Sequence, residues 1–152
     1  RSDPHILPLE SVSIKFEDSD EIQMDPISPE HECIEIASED AQILMRIAAA
    51  EAESEGIEGK ALVMAVVLNR VDSDDFPNSV KEVVFQENQF SPITDGRYYT
   101  VTVDSECYEA LDLIASGDYQ KFSALYFDSC TNSWASKNKE YIDTIGKHNF
   151  YR

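Results

Sequence analysis

The amino-acid sequence predicts an α+β domain, mainly helical, with a small β-hairpin lobe. Three observations lead there. Ala41, Leu44, Met45 and Ala48 recur at i, i+3, i+4 and i+7, the spacing of one helix face. The stretch "KALVMAVVLNRV" is apolar almost all round from Ala61 to Leu68, which suits a helix enclosed by protein. After Asp95-Gly96 the period changes, and the β-prone run Tyr98 to Val103 reads as a hairpin or extended lobe.

Size and charge narrow the function. A chain of 152 residues has room for one core, since domains of this size bury roughly 68–70% of the surface of the unfolded chain. No apolar run approaches the ~18 residues of a membrane helix, so membrane insertion is not expected. Twelve Lys and Arg against thirty Asp and Glu give a net charge of −18. A phosphate backbone is repelled by such a chain, which argues against nucleic-acid binding and leaves neutral or cationic substrates and calcium as partners. Cys33, Cys107 and Cys130 form no metal-ligand spacing and read most simply as three small buried side chains, their disulfide state open. The chain opens on Arg1 with no charged stretch leading into an apolar one, so a processed or truncated product is expected.

Taken in order, residues 1–37 carry four of the six prolines and ten acidic residues, which reads as an acidic arm or linker ahead of a domain over 38–152. Within the arm Val12, Ile14 and Phe16 alternate with polar residues, enough for one strand laid on the domain. His31-Glu32 begins like the zinc motif HExxH, but Glu35 stands where the second His is needed. Ser38 is a suitable N-cap for a first helix running to about Ala52, with Glu39 and Asp40 in its positive first turn. Gly56 and Gly59 bracket a break before the second, central helix. Ser79 and Glu82 form a capping box for a short third helix. Asp104 or Ser105 caps a fourth, with Cys107, Ala110, Leu111 and Ile114 on one face and Gly117 placed to end it. The remainder, from Lys121, is aromatic and irregular.

Four glutamates crowd between the two apolar runs, and one stands out. Glu51 follows Ala48 by three residues, Ile47 by four and Leu44 by seven, so its carboxyl projects from the apolar side of the first helix. Glu53 shares the side of Arg46 and can stay hydrated, while Glu55 and Glu58 fall in the connection and are more simply solvated. A carboxyl beside a hydrophobic wall keeps its proton above the usual range and can hand it to a departing sugar oxygen. A buried glutamate paired to Arg46 or Arg70 would give the same pattern, and that alternative stays open here.

The segment "RIAAAEAESEGIEGKALVMAVVLNRVDSDDFPNSVKEVVFQENQFSPITDGR" resembles the cell-wall hydrolases of the SleB/CwlJ type, the spore-cortex-lytic enzymes and their relatives. The resemblance rests on the AEA around Glu51, EGK at Glu58 to Lys60, LNRV at Leu68 to Val71, Phe76-Pro77, and QFSP through Arg97. "ALYF" at Ala124 to Phe127, Trp134 and "IGKHNFY" from Ile145 continue it, so it covers roughly 42–152. It implies a lysozyme-like fold and peptidoglycan strands as partner, cut between N-acetylmuramic acid and N-acetylglucosamine outside the cytoplasm, in the cell wall or spore envelope. It places the catalytic glutamate at Glu51. After AEA the family carries Arg-Gly-Glu where this chain has Glu53-Ser54-Glu55, an exchange expected to raise the Glu51 pKa further.

No second acid presents itself, since Glu55 is a turn away and Asp95 sits at the supposed hairpin tip. The expected reaction is therefore that of a lytic transglycosylase, in which one glutamate serves as acid and then base and leaves a 1,6-anhydro end. Muramidase hydrolysis and a non-catalytic peptidoglycan-binding module are the alternatives. No cofactor or metal is expected, because His5, His31 and His148 are scattered and a metal-dependent amidase would need them clustered. Gln89, Phe90 and Ser91 are expected at the cleft edge, binding N-acetyl or hydroxyl groups and stacking on a sugar face. Tyr126, Trp134 and His148 are further substrate-side candidates, each balanced against simple packing.

Overall fold

The structure is a computed structural model and describes residues 33–152. The strand expected around Val12 to Phe16 and the His31-Glu32 pair lie outside those residues. The first helix, α1 (Ser38–Glu51), buries more than one stripe: Ile43, Leu44, Met45 and Ile47 to Ala50 are all enclosed. Its N-cap is Ala37 with no side-chain bond, so Ser38 is the first helical residue and not the cap. Ahead of it, the Ile34 N–H donates to Ala115 O at 2.8 Å, tying the end of the supposed arm to the body.

The central helix α2 (Gly56–Asp72) packs against α1 on one side and, on another, against the helix α6 (Ser105–Ala115). Leu62 and Val66 face elsewhere, joining Ala124 and Phe150 in a second apolar cluster. Hydrophobic neighbours on every side are what an all-round apolar helix requires, each such buried side chain contributing about 1.5–3 kcal/mol. The helix α3 (Val80–Val84) starts on the expected capping box, Ser79 Oγ accepting the Glu82 N–H at 3.1 Å. Asp104 caps α6, accepting from Cys107 N. Gly117, at φ 87°, closes it in a Schellman turn: its N–H reaches Ile114 O, and the Asp118 N–H reaches Leu113 O.

The β lobe lies elsewhere than the sequence suggests. Residues 91–100 form two short helices, α4 (Ser91–Asp95) and α5 (Arg97–Thr100), hinged at Gly96 with φ 90°. Pro92 sits in the first turn of α4, where its missing N–H is no loss. The Asp95 carboxylate accepts from the Arg97 N–H at 3.0 Å and from its guanidinium, which winds the chain into α5. Tyr98 is buried edge-on against Phe85, and Arg46 holds the Tyr98 and Val101 carbonyls. With those groups spoken for, the β-prone run has no strand to pair with.

The sheet comes instead from the tail that reads as irregular. It has three antiparallel strands, β1 (Tyr126–Asp128), β2 (Tyr141–Ile145) and β3 (His148–Tyr151), in the order β1-β3-β2, with α7 (Trp134–Asn138) between β1 and β2. Strands β2 and β3 form a hairpin in which Ile145 faces His148 across Gly146-Lys147. Gly146, at φ 62°, supplies the positive first position of a two-residue turn. Phe150 of β3 is wholly buried against α2, docking the sheet on the helices.

Candidate active site

Glu51 is the last residue of α1, and its carboxyl opens into a cleft of about 520 Å³ between the helices and the sheet. One wall is the connection Asn88 to Ser91 with Thr94 of α4; the other is Phe127 to Cys130 with His148; Arg70 of α2 closes the floor. Asn88 turns this wall sharply with a left-handed φ of 65°, a conformation asparagine tolerates. A larger groove of about 840 Å³ runs between Ile34 to Asp40, α2 and Tyr119. Glu35, Glu39 and Asp72 are exposed there and Asp40 is half-buried, as Glu51 is. The smaller cleft is selected by the chemistry of Glu51, whose carboxyl burial pushes well above the usual range.

Among the described residues Glu51 has no ion pair within 4 Å and no hydrogen-bond partner. The alternative of a glutamate locked to an arginine is thereby removed. Arg46 serves backbone carbonyls, and Arg70 donates to Leu125 O at 2.7 Å and to Gln89 Oε1 at 3.1 Å. Burial pushes the Glu51 carboxyl up to about 7; Arg97 pulls it down, Asp95 pushes it up and Arg70 pulls it down. Neither Glu53 nor Glu55 is among these causes. At neutral pH a large share of this carboxyl holds its proton, ready to deliver it to an atom in the cleft.

The surroundings are held firmly. Arg97 donates to Ala50 O at 3.0 Å and to Ser91 Oγ at 3.2 Å while paired with Asp95, joining the end of α1 to the cleft rim. The buried Lys60 donates to the carbonyls of Ala52 and Glu53 just past Glu51, and pairs with Glu106 at 3.1 Å. Glu55 is not simply solvated: its Oε1 accepts the Lys147 N–H at 2.9 Å and clasps the β2–β3 turn. Arg70 lies over the rings of Phe76, Phe90 and Tyr126 at 4.6, 5.2 and 5.4 Å, and burial lowers its pKa to about 10, still charged at neutral pH. By engaging the Gln89 oxygen it leaves the Gln89 NH₂ as a donor.

Of the expected site residues, Glu51, Gln89, Phe90, Ser91 and His148 line one cleft. Phe90 is 2% exposed and belongs to the core as well, so it presents an edge at most. His148 stacks edge-on against Phe127 at 5.1 Å, and burial lowers its pKa, leaving it neutral at pH 7. Tyr126 and Trp134 do not line the cleft; they pack on each other outside it, their ring centroids 5.8 Å apart. Sequence reasoning missed Asp128, whose carboxylate shares the cleft and accepts from Ser133 Oγ and from Asn149 Nδ2 at 3.0 Å. No spacing in the sequence marks it, because β1 is only three residues long. Cys107 is buried as expected, but Cys33 and Cys130 are exposed, and all three are free thiols. Among the described residues no group of three His, Cys, Asp or Glu side chains is placed to hold a metal ion.

Comparison with known proteins sharpens this. The sequence pattern of the cell wall hydrolase family matches residues 54–151, beginning three residues past Glu51. The spore cortex-lytic enzyme of Bacillus subtilis is 34% identical over 116 residues, 75% of this chain and 38% of that protein. That of Bacillus cereus is 34% identical over 73% of this chain and 43% of its own. The chain thus spans less than half the length of these relatives. The cell wall hydrolase CwlJ of Bacillus subtilis is 30% identical over 78% of this chain and 89% of its own length. Among solved structures, the catalytic domain of the germination-specific lytic transglycosylase SleB from Bacillus anthracis superposes with a TM-score of 0.66 at 31% identity, covering 77% of this chain and 97% of that one. The pattern match, the relatives and the shared lysozyme-like arrangement of helices and small sheet agree: the chain belongs to the cell wall hydrolase family.

Proposed function

We propose that this chain cuts peptidoglycan glycan strands between N-acetylmuramic acid and N-acetylglucosamine as a lytic transglycosylase, with Glu51 as both acid and base. The observation that carries the reading is the unpaired Glu51 carboxyl in the cleft, its pKa pushed to about 7 by burial. The neutral carboxylic acid gives its proton to the bridging oxygen as the bond from that oxygen to the muramic C1 breaks. The resulting carboxylate then takes the proton of the muramic C6 hydroxyl, whose oxygen closes on C1. The product carries a 1,6-anhydro ring, no water is consumed, and Glu51 ends protonated as it began. Gln89 and Ser91 offer an amide donor and a hydroxyl for N-acetyl or hydroxyl groups, while neutral His148 can accept or donate. The names of the relatives support the substrate class. Such a substrate lies outside the cytoplasmic membrane, so the wall or spore envelope is the proposed place of action.

Asp128 gives hydrolysis a hearing, because muramidase chemistry of the usual kind needs a second carboxylate in the cleft. Both its oxygens already accept hydrogen bonds from Ser133 and Asn149, which suits a fixed wall better than a base that must activate water. Digestion of purified, undecorated peptidoglycan with mass spectrometry of the fragments decides. Anhydro ends that vanish in Glu51→Gln are expected. Reducing ends would replace this reading by hydrolysis, and an absence of fragments would leave only a binding module.

A further inference from the structure

Trp134 is 61% exposed although it opens a well-fixed helix. Its ring lies 5.8 Å from that of Tyr126, which in turn lies 5.8 Å from Phe76, so a row of rings runs outward from the floor residue Arg70 and ends at the indole. Lys139 completes the group, its Nζ 5.0 Å from the Tyr126 ring and 5.5 Å from that of Trp134. Among the described residues Lys139 has no carboxylate within 4 Å. The display is rigid: Ser133 accepts the Ser136 N–H at 3.0 Å, the Asn138 amide holds Trp134 O at 2.8 Å, and the Lys139 N–H holds Ala135 O at 2.8 Å. Ser133 also donates to Asp128, which lines the cleft, so platform and cleft share one support.

Charge singles out the same region. Residues 121–152 hold five Lys and Arg against three Asp and Glu, a balance of +2. The other 120 residues hold seven against twenty-seven, a balance of −20. An exposed indole beside an unpaired ammonium, in a basic-leaning segment of an acidic protein, fits a ligand with both a flat sugar face and a carboxylate. We propose that Trp134, Tyr126 and Lys139 form a second binding site, outside the cleft, for a glycan strand that bears an acidic peptide. Trp134 stacks on a sugar ring, and Lys139 pairs with a peptide carboxylate. The site rests on the reading of the chain as acting on peptidoglycan, and it holds the polymer while the adjoining cleft works.

The test is retention of the full chain, in a Glu51→Gln background so that nothing is cut, on beads carrying peptidoglycan coupled through its glycan ends and on the same immobilised glycan after its peptides have been removed. Trp134→Ala is expected to weaken retention about three- to tenfold on both materials, as the loss of one aromatic contact implies. Lys139→Gln is expected to weaken it on the peptide-bearing material alone. Lys81→Gln removes an equal charge on α3 and is expected to leave retention unchanged, which separates a local site from net charge. Trp134→Phe is expected to keep much of the binding, and circular dichroism checks that each variant is folded. Retention untouched by Trp134→Ala, or weakened equally by Lys139→Gln and Lys81→Gln, would overturn the site, whatever the digestion assay says of cleavage. If the parent chain cuts nothing yet Trp134→Ala still loses retention, the platform stands and the catalytic reading falls.

Discussion

At the scale of single residues, Glu51 shows burial outweighing two cations. Arg97 and Arg70 both favour the carboxylate, yet desolvation with help from Asp95 leaves the pKa near 7. As a general acid it must be protonated, so kcat/KM on peptidoglycan is expected to fall as pH rises through about 7. Arg97→Gln removes the strongest lowering influence and should move that fall to higher pH; Asp95→Asn should move it lower. A pH–rate profile in which the two variants shift together would contradict this. Stability gives an independent check. A pKa raised in the folded state favours folding fully below the unfolded value, and that contribution is lost as pH rises through the folded one. Glu51→Gln escapes this loss, and across pH 4.5 to 7 it should gain on the parent by no more than about 3 kcal/mol. Glu51 was legible in the sequence because helical spacing alone turns it toward the core. Arg97 and Asp128 were not, since their places depend on a hinge at the single residue Gly96 and on a three-residue strand that no periodicity reveals.

At the scale of elements, the connection after α1 is locked by a glutamate threaded between two glycines. A Cβ on Gly59 would lie 2.2 Å from Glu55 Cβ, and one on Gly146 would lie 2.3 Å from Glu55 Oε1. The first contact is with the root of a side chain, which cannot swing aside. Gly59→Ala is therefore expected to cost about 1–3 kcal/mol in chemical denaturation. Glu55→Gly should relieve the clash, so the double variant should be more stable than the sum of the two single losses predicts. Additive losses would mean that the crowding is not what constrains Gly59. Helices α3 and α6 start on the caps read from the sequence, and α1 and α2 keep their apolar residues buried, but Ser38 lies inside α1, and the break expected between Gly56 and Gly59 is instead the first turn of α2, with Glu58 in it. Apolar faces are local properties and follow the sequence. The sheet does not. Tyr98 to Val103 has strand-forming side chains, but Pro92, the Asp95–Arg97 clamp and burial of Tyr98 draw its first half into helix. Strand propensity acts only where a partner strand exists, and the partners lie between Tyr126 and Tyr151.

Across the whole molecule, charge is as unevenly placed as structure. Three ion pairs join described residues, Lys60–Glu106, Arg97–Asp95 and Arg152–Glu140, and the last two are about half exposed and contribute little. Against them stands a net charge of −18. Self-repulsion of that size acts over a Debye length of about 30 Å at 0.01 M salt but about 8 Å at 0.15 M. Added sodium chloride over that range is therefore expected to raise the melting temperature, the reverse of what a fold held by ion pairs would show. A melting temperature that falls with salt would mean that local pairs outweigh the long-range repulsion. On the proposed action on peptidoglycan, the same repulsion opposes an acidic polymer, and among the described residues the stretch 121–152, with its balance of +2, opposes it least. That segment carries β1, Trp134 and His148, so the least repelled approach to the polymer brings one wall of the cleft toward it, with Glu51 across the gap.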